Sequence, residues 1–229
     1  MIRIIKAFIP GLPNAFVVGA LRFFSLFSFI SKKRRDINNK NNLEELQTGS
    51  YAGRDGFIED QHAMKQLRFG KTDMAYAGCE VIAVYNALLS LGRSADLCEL
   101  ISIFEKRGSV LEGRFGTSPY ALYRYLVKTG LEAAFSFRRK EFEKLAAESR
   151  VFMITYYNDA KDIMQQIHTI CVTKDDHAFM HPHNAYCTGK DLCTVDGLEK
   201  SLGVQGRAKI LFMTGIKQNE EKGSIDEKK

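Results

Sequence analysis

Residues 73–92 read DMAYAGCEVIAVYNALLSLG. A few small residues and one cysteine lead into a run that is apolar on nearly every side: Val81, Ile82, Val84, Tyr85, Leu88 and Leu89. A surface helix carries a single apolar stripe, whereas a helix apolar all round belongs inside a core. This stretch is expected to be a buried central helix with Cys79 in its first turn. Unpaired N–H groups and the positive end of the helix dipole favour a thiolate there. Gly78, without a Cβ, allows close approach of the chain before the helix. Asn86 interrupts the apolar run and is expected to bond a loop backbone.

Outward from this helix the periodicity divides the chain in two. Ser94 is placed to cap a second helix, ADLCELISIFEKRG, ended by Gly108, and Ser118 with Pro119 starts a third, ended by Gly130. LEAAFSF (131–137) then reads as a strand, followed by a helix from Arg139 to about Glu148. VFMITYY (151–157) is a near-continuous apolar strand, hence central in a sheet. QIHTICVT (166–173) alternates, and HAFMH (177–181) returns beside it as a hairpin. A short helix (196–203) precedes a last strand, AKILFMT (208–214). Helices first and an antiparallel sheet second make an α+β domain.

The chain has 229 residues and a net charge of +6. Residues 1–40 hold eight basic residues against Asp36, or +7, so the other 25 basic and 26 acidic residues sum to −1. The basic excess belongs to an N-terminal segment, and nucleic-acid binding is not expected. Within that segment AFVVGALRFFSLFSFI (15–30) is followed at once by SKKRR. Asn14, Arg22, Ser25 and Ser28 form a narrow polar stripe beside a broad apolar face. An interfacial helix fits this pattern better than a cleaved signal or a spanning helix. The expected organisation is a basic apolar helix over 1–35, a linker over 36–59, a domain over 60–216 and a charged, disordered tail over 217–229. Residues 8–35 are the expected contact with a membrane surface, on the cytoplasmic side. Five cysteines without framework spacing suit a reducing compartment.

A thiolate at a helix start becomes a nucleophile when a base stands near it and a third group orients that base. His168 lies on the alternating strand, pointing opposite to Ile167, Thr169 and Cys171, and Asn184 follows it by 16 residues, past the partner strand. YAGCEVIAVYNALLSLG, followed by this His and Asn in this order, resembles the papain-like cysteine peptidases, and most of all their C39 peptidase-like branch. That bacterial branch includes leader peptidases that cut after a double glycine. The resemblance covers about residues 60–215. It implies a papain-like fold, its buried N-terminal helix packed on an antiparallel sheet in the C-terminal half. It further implies Cys79 as nucleophile, His168 as general base and acid, and Asn184 as the orienting residue, acting on a peptide or protein substrate through an acyl-thioester without a cofactor.

One position departs from the family. Where a glutamine side chain would help stabilise the oxyanion, Asp73 stands six residues before Cys79, with Thr72 before it. A donor there is worth about 2.7–4 kcal/mol, and an ionised carboxylate would repel the oxyanion. Thr72, Tyr76, a more distant Gln66 or a protonated Asp73 are the candidates to fill the role. The alternatives are a non-catalytic peptide-binding module at the membrane, or an acyltransferase using the same Cys–His pair. His181, His183, Cys187 and Cys193 offer zinc-type donors but match no common finger spacing, and no metal is expected.

Overall fold

The computed structural model describes residues 11–27, 29–160, 167–185, 192–204 and 207–217. Helices fill the first half: α1 (Asn14–Ser25), α2 (Lys32–Thr48), a 3-10 turn (Gln61–Met64), α3 (Met74–Ala77), α4 (Cys79–Ser90), α5 (Leu97–Arg107) and α6 (Pro119–Lys128). A minimal hairpin, β1 (Arg68–Phe69) with β2 (Thr72–Asp73), sits ahead of α3. The second half holds β3 (Ala133–Ser136), α7 (Phe142–Ala147), β4 (Ser149–Tyr157), β5 (Ile167–Lys174), β6 (Met180–His183), α8 (Val195–Ser201) and β7 (Lys209–Lys217). Strands β3 to β7 form one antiparallel sheet in the order β3-β7-β4-β5-β6. The architecture is α+β, and the apolar strand 151–157 lies in the middle of the sheet, as its unbroken hydrophobicity requires.

Alternation along the strands separates two cores. On one face Val151, Met153, Cys171 and Ile216 meet α4, α5 and α6. On the other, Phe152, Ile154, Tyr156, Ile170 and Val172 meet Phe142 and Leu145 of α7 and Leu198 of α8. Val81, Ile82, Ala83, Val84 and Ala87 of α4 are all essentially inaccessible, so this helix is surrounded as its composition demands. Full burial of each large aliphatic chain contributes about 1.5–3 kcal/mol. Asn86 donates from Nδ2 to the Ile58 carbonyl and accepts the Ile58 N–H at Oδ1, each at 2.9 Å. That exchange pins the incoming loop to α4.

The segment 36–59, expected as a linker, begins inside a helix. Ser31 caps α2 by accepting the Arg34 N–H. Asn38 and Asn42 face the body and are buried. Asn38 Nδ2 donates to the Gly70 carbonyl (3.0 Å) and to Glu105 Oε1 (2.6 Å). Asn42 exchanges two bonds with the Arg68 backbone, at 2.9 and 2.7 Å. The helix docks through carboxamides instead of an apolar stripe, so hydrophobic periodicity gives it no signal. Asp96, not Ser94, caps α5, accepting the Glu99 N–H at 2.9 Å.

Helix α1 packs Val17, Val18 and Leu21 against Leu211 and Phe212 of β7. Asn14 was expected on the polar stripe with Arg22, Ser25 and Ser28. It turns inward and donates to the carbonyls of Phe137 (3.2 Å) and Ile210 (3.0 Å). The Arg22 guanidinium lies over the Tyr120 ring at 4.9 Å. Ser28, residues 1–10 and the tail from 218 lie outside the described residues. No helix among the described residues is long and apolar enough to cross a membrane.

Candidate functional site

Asp73 ends β2 and caps α3, accepting the Tyr76 N–H on its carboxylate at 2.8 Å. Gly78 then turns the chain into α4. A Cβ at Gly78 would sit 2.6 Å from the Met74 carbonyl, so only glycine permits this sharp junction. Cys79 is thereby delivered to the first turn of α4 with 8% of its surface exposed. Its Sγ donates to Glu80 Oε2 at 3.0 Å. The Thr169 N–H and hydroxyl also reach the sulfur. Glu80 is itself buried, near its own backbone N–H, the Thr117 N–H and the Thr169 hydroxyl, which pairs with the Thr155 hydroxyl at 2.6 Å.

Burial is the largest influence on this pair. It pushes the Glu80 carboxyl up to about 7, against hydrogen bonds that favour the anion. Burial and the neighbouring Glu80 charge push the Cys79 thiol well above its ordinary range. Cys79 therefore rests as a thiol, and it donates to the Glu80 carboxyl. A narrow cleft with about 40 Å³ of room opens onto both groups, enough for a few waters. Leu21 of α1, Tyr76, Arg114, Phe115 and Ile167 wall it. A groove of about 1170 Å³ between α1, α8 and β7 shares no lining residue with this cleft.

His168 belongs to the other face of the sheet. It pairs with Tyr156 across β4 and β5, and the two rings meet edge-on with centroids 5.9 Å apart. Tyr156 and Ile170 lie in the α7–α8 core, whereas Cys171 lies against α4. By alternation His168 leaves β5 away from α4, and Thr169, one residue on, meets the thiol. His168 Nε2 donates to the backbone carbonyl of Asn184 at 2.6 Å. A carbonyl only accepts, so Nε2 carries the proton in the neutral ring. Burial lowers His168 to about 4, only partly opposed by that hydrogen bond.

Asn184 thus holds the imidazole through its main chain, not its carboxamide. The carboxamide pairs with Gln61: Oδ1 accepts the Gln61 N–H at 3.1 Å, and Nδ2 donates to Gln61 Oε1 at 3.2 Å. Gln61 Nε2 donates to the Ala75 carbonyl in α3 at 3.0 Å. His168, Asn184 and Gln61 form one buried chain that ends on the helix leading to Cys79. The structure brings His168 and Asn184 together and gives Cys79 a different neighbour, Glu80. Among the oxyanion candidates, Asp73 is occupied as a cap and Thr72 donates to the Phe69 carbonyl at 2.9 Å. Gln66 is exposed, and the Tyr76 hydroxyl donates to the Arg114 carbonyl at 3.2 Å on the cleft wall.

The chain matches no protein-family model, no curated protein and no solved structure. Two participants escaped the sequence reading. Glu80 does carry a signal, since a carboxylate beside Cys79 at the head of an apolar helix is an anomaly. Gln61 carried no signal, because its role depends on the path of the chain. No group of three metal-ligating side chains occurs among the described residues. His181 pairs with Asp175, His183 is held between Glu59 and Thr173, and Cys187 lies outside the described residues.

Proposed function

We propose that this protein is a thiol-dependent amidohydrolase, with Cys79 as nucleophile and Glu80 as the group that takes and returns protons. The observation that carries this reading is the 3.0 Å contact between Cys79 Sγ and Glu80 Oε2 at the mouth of α4. A base works best with a pKa near the working pH, and burial holds Glu80 at about 7. The element order along the chain resembles that of papain-like peptidases, with cysteine at the head of a buried helix, histidine on a sheet strand and asparagine beyond its partner strand, but His168 faces away from Cys79.

In the first step the thiol proton passes to Glu80 as sulfur attacks the substrate carbonyl. The Cys79 N–H, at the first position of α4, stands next to the oxyanion that forms. Collapse of this intermediate transfers the proton from Glu80 to the leaving amine and leaves an acyl-thioester. Water then attacks the thioester, Glu80 takes its proton, and the acid departs as the thiol is restored. His168 and Asn184 are positioning residues here, fixing β5 and α3 around the cleft.

The test separates the two duties of Glu80. Glu80→Gln removes the group that takes the thiol proton, so acylation of Cys79 by 4-nitrophenyl acetate should become slower. The same change removes the base for water, so an acetyl group placed on Cys79 by 4-nitrophenyl acetate should persist at least about tenfold longer. Unchanged acylation together with unchanged deacetylation would refute the assignment.

A second reading is a non-catalytic peptide-binding module, favoured by the raised thiol and the narrow cleft. It predicts that Cys79 never carries an acyl adduct. An acyltransferase would show the adduct but release it to an added amine and not to water.

A further inference from the structure

We propose that the outer face of α1, with the basic start of α2, is a docking surface for an anionic lipid bilayer that the folded protein uses without releasing α1 from its body. Helix α1 is apolar on two opposite sides. Val17, Val18 and Leu21 are buried against β7. On the far side Phe16, Phe23 and Phe27 stand out, followed by Leu26 and Phe29 beyond the helix end. Phe16 is 62% exposed and Phe29 is 77% exposed. Phe23 touches both Phe24 and Phe27, with centroids 5.7 and 4.9 Å apart, so the rings form one patch. Neighbouring exposed aromatics of this kind mark an interaction site.

Three observations choose the bilayer as occupant. Lys32, Lys33 and Arg34, all exposed, follow the patch directly in the chain, the arrangement expected for anionic headgroups above an apolar layer. Helix α1 has 12 residues, a length of about 18 Å, so it lies along a surface of about 30 Å hydrocarbon thickness and does not cross it. Residues 11–35 hold no acidic residue, so the same segment of a second copy offers the basic cluster no anionic partner. The inner face is anchored by the two Asn14 hydrogen bonds as well as by packing, so the aromatic side is free for lipid while the helix stays docked.

The placement has a consequence for orientation. Phe27 and Phe29 share a surface hollow with Arg114, and Arg114 also walls the Cys79 cleft. A bilayer on the patch therefore meets the protein beside the cleft mouth, where a membrane-bound peptide or lipid-linked amide would be presented. That substrate class rests on the reading of Cys79 given above, whereas the docking itself does not.

The experiment is sedimentation of the full chain with phosphatidylcholine vesicles and with vesicles that also contain phosphatidylserine. Binding is expected to the anionic vesicles, to weaken at high salt, and to fall at least about tenfold in Phe23→Ser/Phe27→Ser and in Lys33→Glu/Arg34→Glu. These positions are exposed, so unchanged melting of the variants checks that folding is intact. The chain has no tryptophan, so Phe16→Trp supplies a reporter whose emission should shift to the blue on vesicle addition. Binding to neither vesicle type, or binding untouched by the phenylalanine changes, overturns the proposal. So does a wild-type dimer that Phe23→Ser/Phe27→Ser converts to monomer without any vesicle affinity. Cys79 acylation is read on the same samples; adduct formation without vesicle binding sinks the docking and leaves the chemistry standing.

Discussion

At the scale of single residues two buried groups have titrations that oppose each other. Glu80 is raised from 4.5 to about 7 in the fold. The folded state then holds its proton more tightly than the unfolded chain, so stability falls as pH rises from about 4.5 to about 7. His168 is lowered from 6.5 to about 4. Its contribution is fully present above pH 6.5 and is lost as pH falls toward 4. Between pH 4.5 and 6.5 the two slopes offset one another. Thermal melts of Glu80→Gln should show the acid loss alone, and melts of His168→Gln the alkaline loss alone. A wild-type profile that neither substitution alters would show that the two groups titrate alike in the folded and unfolded chains. Gly78→Ala should be strongly destabilising, because the new methyl meets the Met74 carbonyl.

At the scale of elements, α1 and α2 hold the domain together by polar grips that hydrophobic patterning does not report. Asn38→Ala strips Glu105 of a buried donor while Gly70 keeps only its own bond to that carboxylate. The expected loss is about 1–3 kcal/mol, read as a lowered midpoint in urea at unchanged slope. Asn14→Ala should loosen α1 and, because Leu21 walls the cleft, speed alkylation of Cys79. The main elements of the body were legible from period and caps: α4 from its all-round apolarity, β4 from its unbroken run, the β5–β6 hairpin from alternation. The opposite facing of His168 and Cys171 was legible too. Which of those two faces meets α4 was not, since alternation fixes relative orientation along a strand and leaves the side the helix takes to packing. The docking of α2 was hidden because carboxamide-to-backbone bonds leave no periodic trace.

At the scale of the whole molecule, a sheet with a core on each face separates two buried polar systems. The thiol and carboxylate occupy the α4 face, and the imidazole occupies the other, tied through Asn184 and Gln61 to the segment that feeds α4. The aromatic outer side of α1 adds a third surface next to the cleft. Each part has its own readout, so failure of one leaves the others measurable. The central claim, that Glu80 and not His168 handles the protons of Cys79, is tested most directly by mass spectrometry of the acetyl adduct after a pulse of 4-nitrophenyl acetate. The account predicts an adduct confined to Cys79, slow to clear in Glu80→Gln and cleared at nearly the wild-type rate in His168→Ala. An adduct that persists in His168→Ala and clears normally in Glu80→Gln would contradict it.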